Sequence, residues 1–305
     1  MNERKQNISR RGFIGLGSGV LGATALMACG GNKVADESES ATAGGSMAKS
    51  GSVQQAYCGF RMGVQSWCFR EWDLARMIAG MNELNLKHIE LALSVHLPLD
   101  SSDEKVAETK SQLDAAGITV DAFGVERISN DEAQARKIFE FGKKLGVIAI
   151  SVYPQYDALP LVDRLANEYS IPVGIHNHGP EDKIYASPDM FRDEIKGLSN
   201  MVGLCVDSGH YGRSGVDSLA IIDEFPERIQ MVHLKDMVPD SNSEYGWTDR
   251  VVGQGMLDLP GFMGKLMDIG FDGPFSLEYE SEPEAPVQPL KACLDAVQDV
   301  CDTLS

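Results

Sequence analysis

A closed (β/α)8 barrel, α/β in class, is the fold this sequence predicts, and three observations carry it. From about residue 57 to 305, eight short apolar runs alternate strictly with amphipathic stretches, the pattern of parallel βα units. That region is close to the ~250 residues such a barrel needs. No Gly-x-Gly-x-x-Gly loop follows the first run, which argues against a doubly wound dinucleotide-binding sheet.

In chain order the strands are expected at residues 61–66, 88–92, 119–124, 148–153, 173–176, 203–207, 229–233 and 275–278. Helical patterns lie between them at 73–84, 105–116, 132–145, 159–169, 188–198, 216–224 and 260–267, and 289–304 closes the set. A long insertion, residues 237–257, separates the last two strands.

The chain ahead of the barrel reads differently. Residues 1–28 hold Arg4, Lys5, Arg10 and Arg11 against Glu3, a net +3, so the remainder of a chain of net charge −18 carries −21. Residues 12–28 are apolar and small but lack the ~20 strongly apolar residues of a membrane span, which favours an export signal. Ser9-Arg10-Arg11-Gly12-Phe13-Ile14 resembles a twin-arginine signal. Leu26-Met27-Ala28-Cys29 resembles a lipobox, implying lipidation of Cys29; the competing reading is a soluble secreted protein cut elsewhere. Residues 29–56, rich in Gly, Ser, Ala, Asp and Glu, bury too little apolar surface to offset their ordering entropy and read as a flexible tether.

Composition narrows the function. With 45 Asp plus Glu against 27 Lys plus Arg, the chain is ill suited to nucleic acid, whose phosphates need clustered cations. Six cysteines are too few for a disulfide-built scaffold. If Cys29 is lipidated, at least one of the other five is unpaired. Cys58 and Cys68 are within bridging possibility in an oxidising compartment, whereas Cys293 and Cys301, eight apart on the last helix, are too far apart. Cys205 is expected in the apolar layer between barrel and helices.

Polar chemistry gathers at the C-terminal ends of the later strands, where a barrel places its active site. The fifth ends in His176-Asn177-His178, the sixth in Asp207-Ser208-Gly209-His210, the seventh in His233-Leu234-Lys235-Asp236 and the eighth in Glu278-Tyr279-Glu280. Four of the six histidines thus fall at three consecutive strand ends; His88 and His96 read as ordinary structural residues. Imidazoles and carboxylates converging on one mouth suit a single divalent ion: Mn, Zn, Co, Fe or Mg.

His-Asn-His, Asp-x-Gly-His, His-Leu-Lys-Asp and Glu-Tyr-Glu, in that order, resemble the xylose-isomerase-like TIM-barrel family of sugar isomerases and epimerases over residues 60–305. Family members hold one divalent metal with Glu, Asp, His and Glu. The resemblance therefore implies ligands His176 (in place of the first Glu), Asp207, His233 and Glu278, with His178 a second candidate at strand five. It also implies that His210 contacts substrate beside the metal. Arg250, in an Arg-x-x-Gly-x-Gly pattern similar to a family loop, is expected on substrate oxygens.

Protons beside a sugar carbonyl are weakly acidic, and a metal acting as Lewis acid stabilises the enediolate formed on their loss. Glu278 is placed to bind metal and take the proton, His176 or His178 to return one on the other side, and Lys235 to neutralise charge on oxygen. Trp247 is expected to stack on a sugar ring or to pack as an aromatic lid. Glu90 either faces the pocket or caps the barrel mouth. Gln65, Trp67 and Tyr153 are weaker candidates for the pocket wall.

The sequence thus points to a metal-dependent isomerase or epimerase acting on a free sugar or keto-sugar. A lyase or hydratase expelling a β-oxygen from a 3-keto-glycoside would use the same site, and a non-catalytic surface sugar-binding lipoprotein is the third possibility. An abasic-site endonuclease is set aside, because strands two and three end in Glu90 and Phe123-Gly124-Val125 rather than further histidines and the barrel is strongly acidic. No Gly-rich or Arg-rich phosphate cradle is visible at strands seven and eight.

Overall fold

The computed structural model describes residues 56–243 and 245–304. The expected export leader, the lipidation site Cys29 and the tether up to residue 55 lie outside the described residues.

Burial of both faces of nearly every strand sets the architecture. β1 (Arg61–Gln65), β2 (His88–Leu91), β3 (Thr119–Ile128), β4 (Ala149–Pro154), β5 (Val173–His176), β6 (Val202–Asp207), β7 (Ile229–Leu234) and β10 (Pro274–Leu277) close into one parallel barrel. Its order is β1-β10-β7-β6-β5-β4-β3-β2, with β1 paired to both β2 and β10. One parity of side chains meets the helices in a continuous apolar layer; the other fills the interior. Low in that interior lie Ala122, Ala149, Cys205 and Met231. Cys205 therefore belongs inside the barrel rather than in the outer layer, because it shares the parity of Asp207 two residues on.

The helices are α1 (Leu74–Glu83), α2 (Asp103–Ala115), α3 (Glu132–Leu145), α4 (Leu159–Tyr169), α5 (Pro188–Phe191), α6 (Ser208–Arg213), α7 (Ser218–Glu224), α8 (Leu259–Asp268) and α9 (Val287–Leu304). Asp73, Ser102, Asp131 and Asp258 cap α1, α2, α3 and α8 by accepting from first-turn N–H groups. Among the described residues no helix is long and apolar enough to cross a membrane.

Three elements differ from expectation. α5 stops at Phe191; the chain continues in turns to Gly197 at φ 94°, with Ile195 still buried. α6 is additional, and its six residues with two glycines carry no helical periodicity. The 237–257 insertion contains an antiparallel pair, β8 (Asp236–Pro239) with β9 (Trp247–Arg250).

Cys58 is bonded to Cys301, 243 residues away on α9, and not to Cys68. Cys68 is a buried thiol 3.7 Å from the carbonyl oxygen of Leu277. At the lower end, Arg61 and His88 lie 2.9 and 2.8 Å from the buried carboxylate of Asp121. His96 is held between Ser66 Oγ and the Trp72 carbonyl. Both of these histidines are structural, as expected.

Candidate metal centre

The site is assembled by the backbone directions of four neighbouring strands. β5 delivers His176 on the interior parity, and Asn177 then turns sideways to bind the backbone of β6. Its Oδ1 accepts from Asp207 N (3.0 Å) and its Nδ2 donates to Asp207 O (3.1 Å). Asp207 ends β6 and caps α6: Oδ1 accepts from His210 N at 2.7 Å, leaving Oδ2 directed to the site. Gly209 is required beside it, since a Cβ there would sit 2.5 Å from Lys235 Cγ. β7 supplies His233, Lys235 follows its last residue, and Glu278 follows the last residue of β10.

One ligand atom from each of His176, Asp207, His233 and Glu278 lies within 4.8 Å of the others, and all four side chains are buried. His176 Nε2 is 3.7 Å from Asp207 Oδ2. Neither ring nitrogen of His176 nor Asp207 Oδ2 has a hydrogen-bond partner, although buried polar atoms are nearly always satisfied. Two nitrogens and two carboxylates with such orphaned atoms fit a divalent cation. The set includes His176 and excludes His178, whose ring lies higher, 35% exposed, with its centroid 4.7 Å from that of His176.

Burial, then the neighbouring His178 and His233, hold the His176 imidazole well below its ordinary range, so it stays neutral as a ligand must. Burial drives the Asp207 carboxyl up to about 6, against the pull of Lys235. For Glu278 burial acts upward too, but Lys235 and His233 outweigh it and keep the carboxyl well below its usual range. Below pH ~6 a proton thus competes with metal for Asp207. Burial pushes the His233 imidazole down, but the carboxylates of Glu90 and Glu278 around it hold it well above its ordinary range, so a proton competes there too. Metal affinity is therefore expected to rise with pH throughout, more steeply below pH ~6, which zinc titrations at about pH 5 and pH 7.5 would read.

Glu90 does not reach the cavity wall. From β2 it passes behind His233, whose Nε2 is 2.7 Å from Glu90 Oε2 while Nδ1 is 3.1 Å from Glu278 Oε2. Ser276 Oγ donates to the same Glu90 oxygen at 3.0 Å. This is a carboxylate behind a ligand imidazole, which fixes the ring and raises its basicity. Glu90→Gln is expected to weaken metal binding ~10- to 100-fold with the fold intact, measured as zinc affinity beside a thermal melt.

Lys235 is 1% exposed. Its ammonium bonds to Glu280 and lies 3.3 Å from Glu278 Oε2 and 3.7 Å from Asp207 Oδ2. The other Glu280 oxygen accepts from Trp67 Nε1 at 3.1 Å. The ammonium is therefore engaged by carboxylates.

Above the centre opens a cavity of about 420 Å³. Its lining includes His176, His178, His210, Glu278, Trp67 and Trp247. Gln65 also reaches it, while Tyr153 instead backs His178 edge-on and donates to Asp182 at 2.6 Å. Arg250 is exposed on β9 and donates to the carbonyl of Asp249; it does not line the cavity. The glycines after it wrap a different group: N–H groups of Gly253, Gly255, Met256 and Leu257 converge on the buried carboxylate of Asp236. The loop pattern thus reports a backbone cage.

The cavity's cation is Arg213 from α6, which sequence reasoning missed. It bonds both oxygens of Glu181 at 2.8 Å and approaches His210 Nδ1 at 3.2 Å. Glu280 and Asp249 also line the wall unforeseen; Asp249 accepts from Glu280 N and Ser281 Oγ. Glu280 stood in a noted motif, but Arg213, Glu181 and Asp249 left no signal, being brought in by a short helix, a loop and a hairpin.

A 108-residue stretch is 30% identical to an inosose dehydratase of Lacticaseibacillus casei, covering 31% of this chain and 36% of that protein. The chain thus matches about a third of the length of the curated relatives. A solved structure from Parabacteroides distasonis is 27% identical, covering 79% of this chain and 98% of that one with a TM-score of 0.62. The IOLI protein, solved with a zinc atom, is 18% identical over 79% of this chain and 98% of its own, TM-score 0.65. Structures named as a D-tagatose 3-epimerase-like protein and an L-ribulose 3-epimerase share the fold at 15% and 14% identity. The family model for the xylose isomerase-like TIM barrel matches residues 78–297, more than two thirds of the sequence, and the chain belongs to that family.

Proposed function

We propose that the protein is a divalent-metal-dependent isomerase or epimerase of a free sugar or keto-sugar, acting by proton transfer beside the carbonyl. The observation that carries this reading is the buried His176–Asp207–His233–Glu278 cluster with its orphaned ligand atoms at the floor of a sugar-sized, aromatic-walled cavity. A bound divalent cation supplies Lewis acidity toward substrate oxygens. The other work falls to the chain. Glu278, kept ionised by Lys235 and His233, takes the proton. His178 returns one from the other side of the cavity. His178 is oriented by Asp182, which accepts from its backbone N–H at 3.3 Å and lies 3.8 Å from its Nδ1. Trp67 and Trp247 offer stacking faces for the ring.

This pair is unlike on its two sides, a carboxylate facing an imidazole, because His176 stands where family members carry a second glutamate. That asymmetry favours a second reading: abstraction by Glu278 and protonation of a departing β-oxygen by His178, a dehydration or lyase reaction on a 3-keto-glycoside. Incubating metal-loaded protein with aldoses, ketoses and 3-keto-glycosides in D₂O separates the two. Deuterium next to the carbonyl with retained constitution supports isomerisation, and loss of water or aglycone supports elimination. If no substrate exchanges under any metal, the enzymatic reading fails and a surface sugar-binding role remains.

We also propose that the barrel is exported and lipid-anchored through Cys29. The Cys58–Cys301 disulfide supports an oxidising compartment. Cys29→Ser is expected to move the protein from the membrane fraction to the soluble one; unchanged fractionation would count against the anchor.

A further inference from the structure

Arg213 and His210 lie three residues apart on α6, on the same side of the helix. The Arg213 side chain is only 6% exposed. Its Nη2 donates to both Glu181 oxygens, a charge-assisted contact that tethers this end of the guanidinium, and its Nη1 is 3.2 Å from His210 Nδ1. A guanidinium has only donors and keeps its charge in proteins. Nδ1 must therefore present a lone pair, since a protonated Nδ1 would set N–H against N–H.

We infer that Arg213 is a positioning residue that fixes the tautomer of His210, so that the ring presents Nε2–H to the cavity as a donor to a substrate oxygen. A neutral imidazole carries one proton, and with Nδ1 accepting it sits on Nε2. Nε2 is 4.0 Å from Asp207 Oδ2, beyond hydrogen-bond reach, and His210 lines the cavity beside His176 and Glu278. The ring is thus a fixed donor next to the metal ligands, suited to a carbonyl or an oxyanion and unsuited to acting as a base. Glu181, from the loop after β5, holds Arg213 to this task. The substrate half of the inference rests on the proposed sugar chemistry; the tautomer does not.

Long-range ¹H–¹⁵N NMR of the full chain labelled on histidine nitrogen tests it, with the His210 signals assigned by their loss in His210→Gln. The wild type is expected to show a protonated Nε2 and a bare Nδ1 at His210. Arg213→Met should shift the proton wholly or partly to Nδ1, and Arg213→Lys, still a pure donor, should restore the wild-type pattern. A wild-type His210 protonated on Nδ1, or an unchanged pattern in Arg213→Met, would overturn the inference. In the D₂O exchange assay, Arg213→Met should lose ~10²–10³-fold in rate, as when one oxyanion donor is removed, with recovery in Arg213→Lys. If the wild type exchanges no sugar, the functional reading fails while the NMR result still decides the tautomer.

Discussion

Glu278→Gln is expected to reduce solvent deuterium exchange into a sugar substrate by ~10²–10⁴-fold or more, the usual contribution of a positioned base. The change should also strip metal from the protein, measured by elemental content after gel filtration. Glutamine keeps the shape of the side chain but removes the charge that accepts a proton and faces the cation. Three observations converge on this residue. It belongs to the ligand cluster, it lies 3.1 Å from His233 Nδ1, and it lies 3.3 Å from the Lys235 ammonium. Unchanged metal content together with unchanged exchange would remove Glu278 from both roles.

The second large effect concerns stability. Lys235→Met is expected to cost about 3–5 kcal/mol, the usual penalty for breaking a buried ion pair from one side. The ammonium is shared by Glu278, Glu280 and Asp207, and methionine would fill its volume while leaving Glu278 and Asp207 buried without it and Glu280 half-buried. Adding Glu280→Gln should recover part of the loss, because one of the stranded charges is then gone. Urea unfolding of the metal-free single and double variants measures both terms. A single variant within ~0.5 kcal/mol of the wild type would show that solvent or proton uptake satisfies the carboxylates without the lysine.

The barrel was legible because parallel strands buried on both faces read as apolar runs, and eight of them at regular spacing admit few other arrangements. The concentration of histidines and carboxylates was legible for the same reason, since strand ends share one face of the fold. Parity alone could not choose between His176 and His178, which point the same way along the chain. The choice comes from where β5 ends: His176 is its last paired residue, and His178 has already left the sheet. Glu90 was ambiguous because strand alternation says that it points inward but not how far up the interior it reaches. Arg213 was invisible because its partner Glu181 is 32 residues away on a loop, and its helix is too short and glycine-rich to carry a period. Arg250 misled for the converse reason. Its neighbours Gly253 and Gly255 are shaped by the buried Asp236 carboxylate, so the motif encodes a turn around an anion already in the chain. The bond from Cys58 to Cys301 spans nearly the whole barrel, and no local spacing announces it.

That bond has a topological consequence. Strands and helices from residue 58 to residue 301 form one covalent macrocycle, closed at the face of the barrel opposite the metal centre. A single peptide cut in any connecting loop, the 237–257 excursion beside the cavity included, opens the ring without dividing it. The two pieces stay one molecule until a reductant is added. One nick in the loops that carry the chemistry would thus leave both pieces covalently joined.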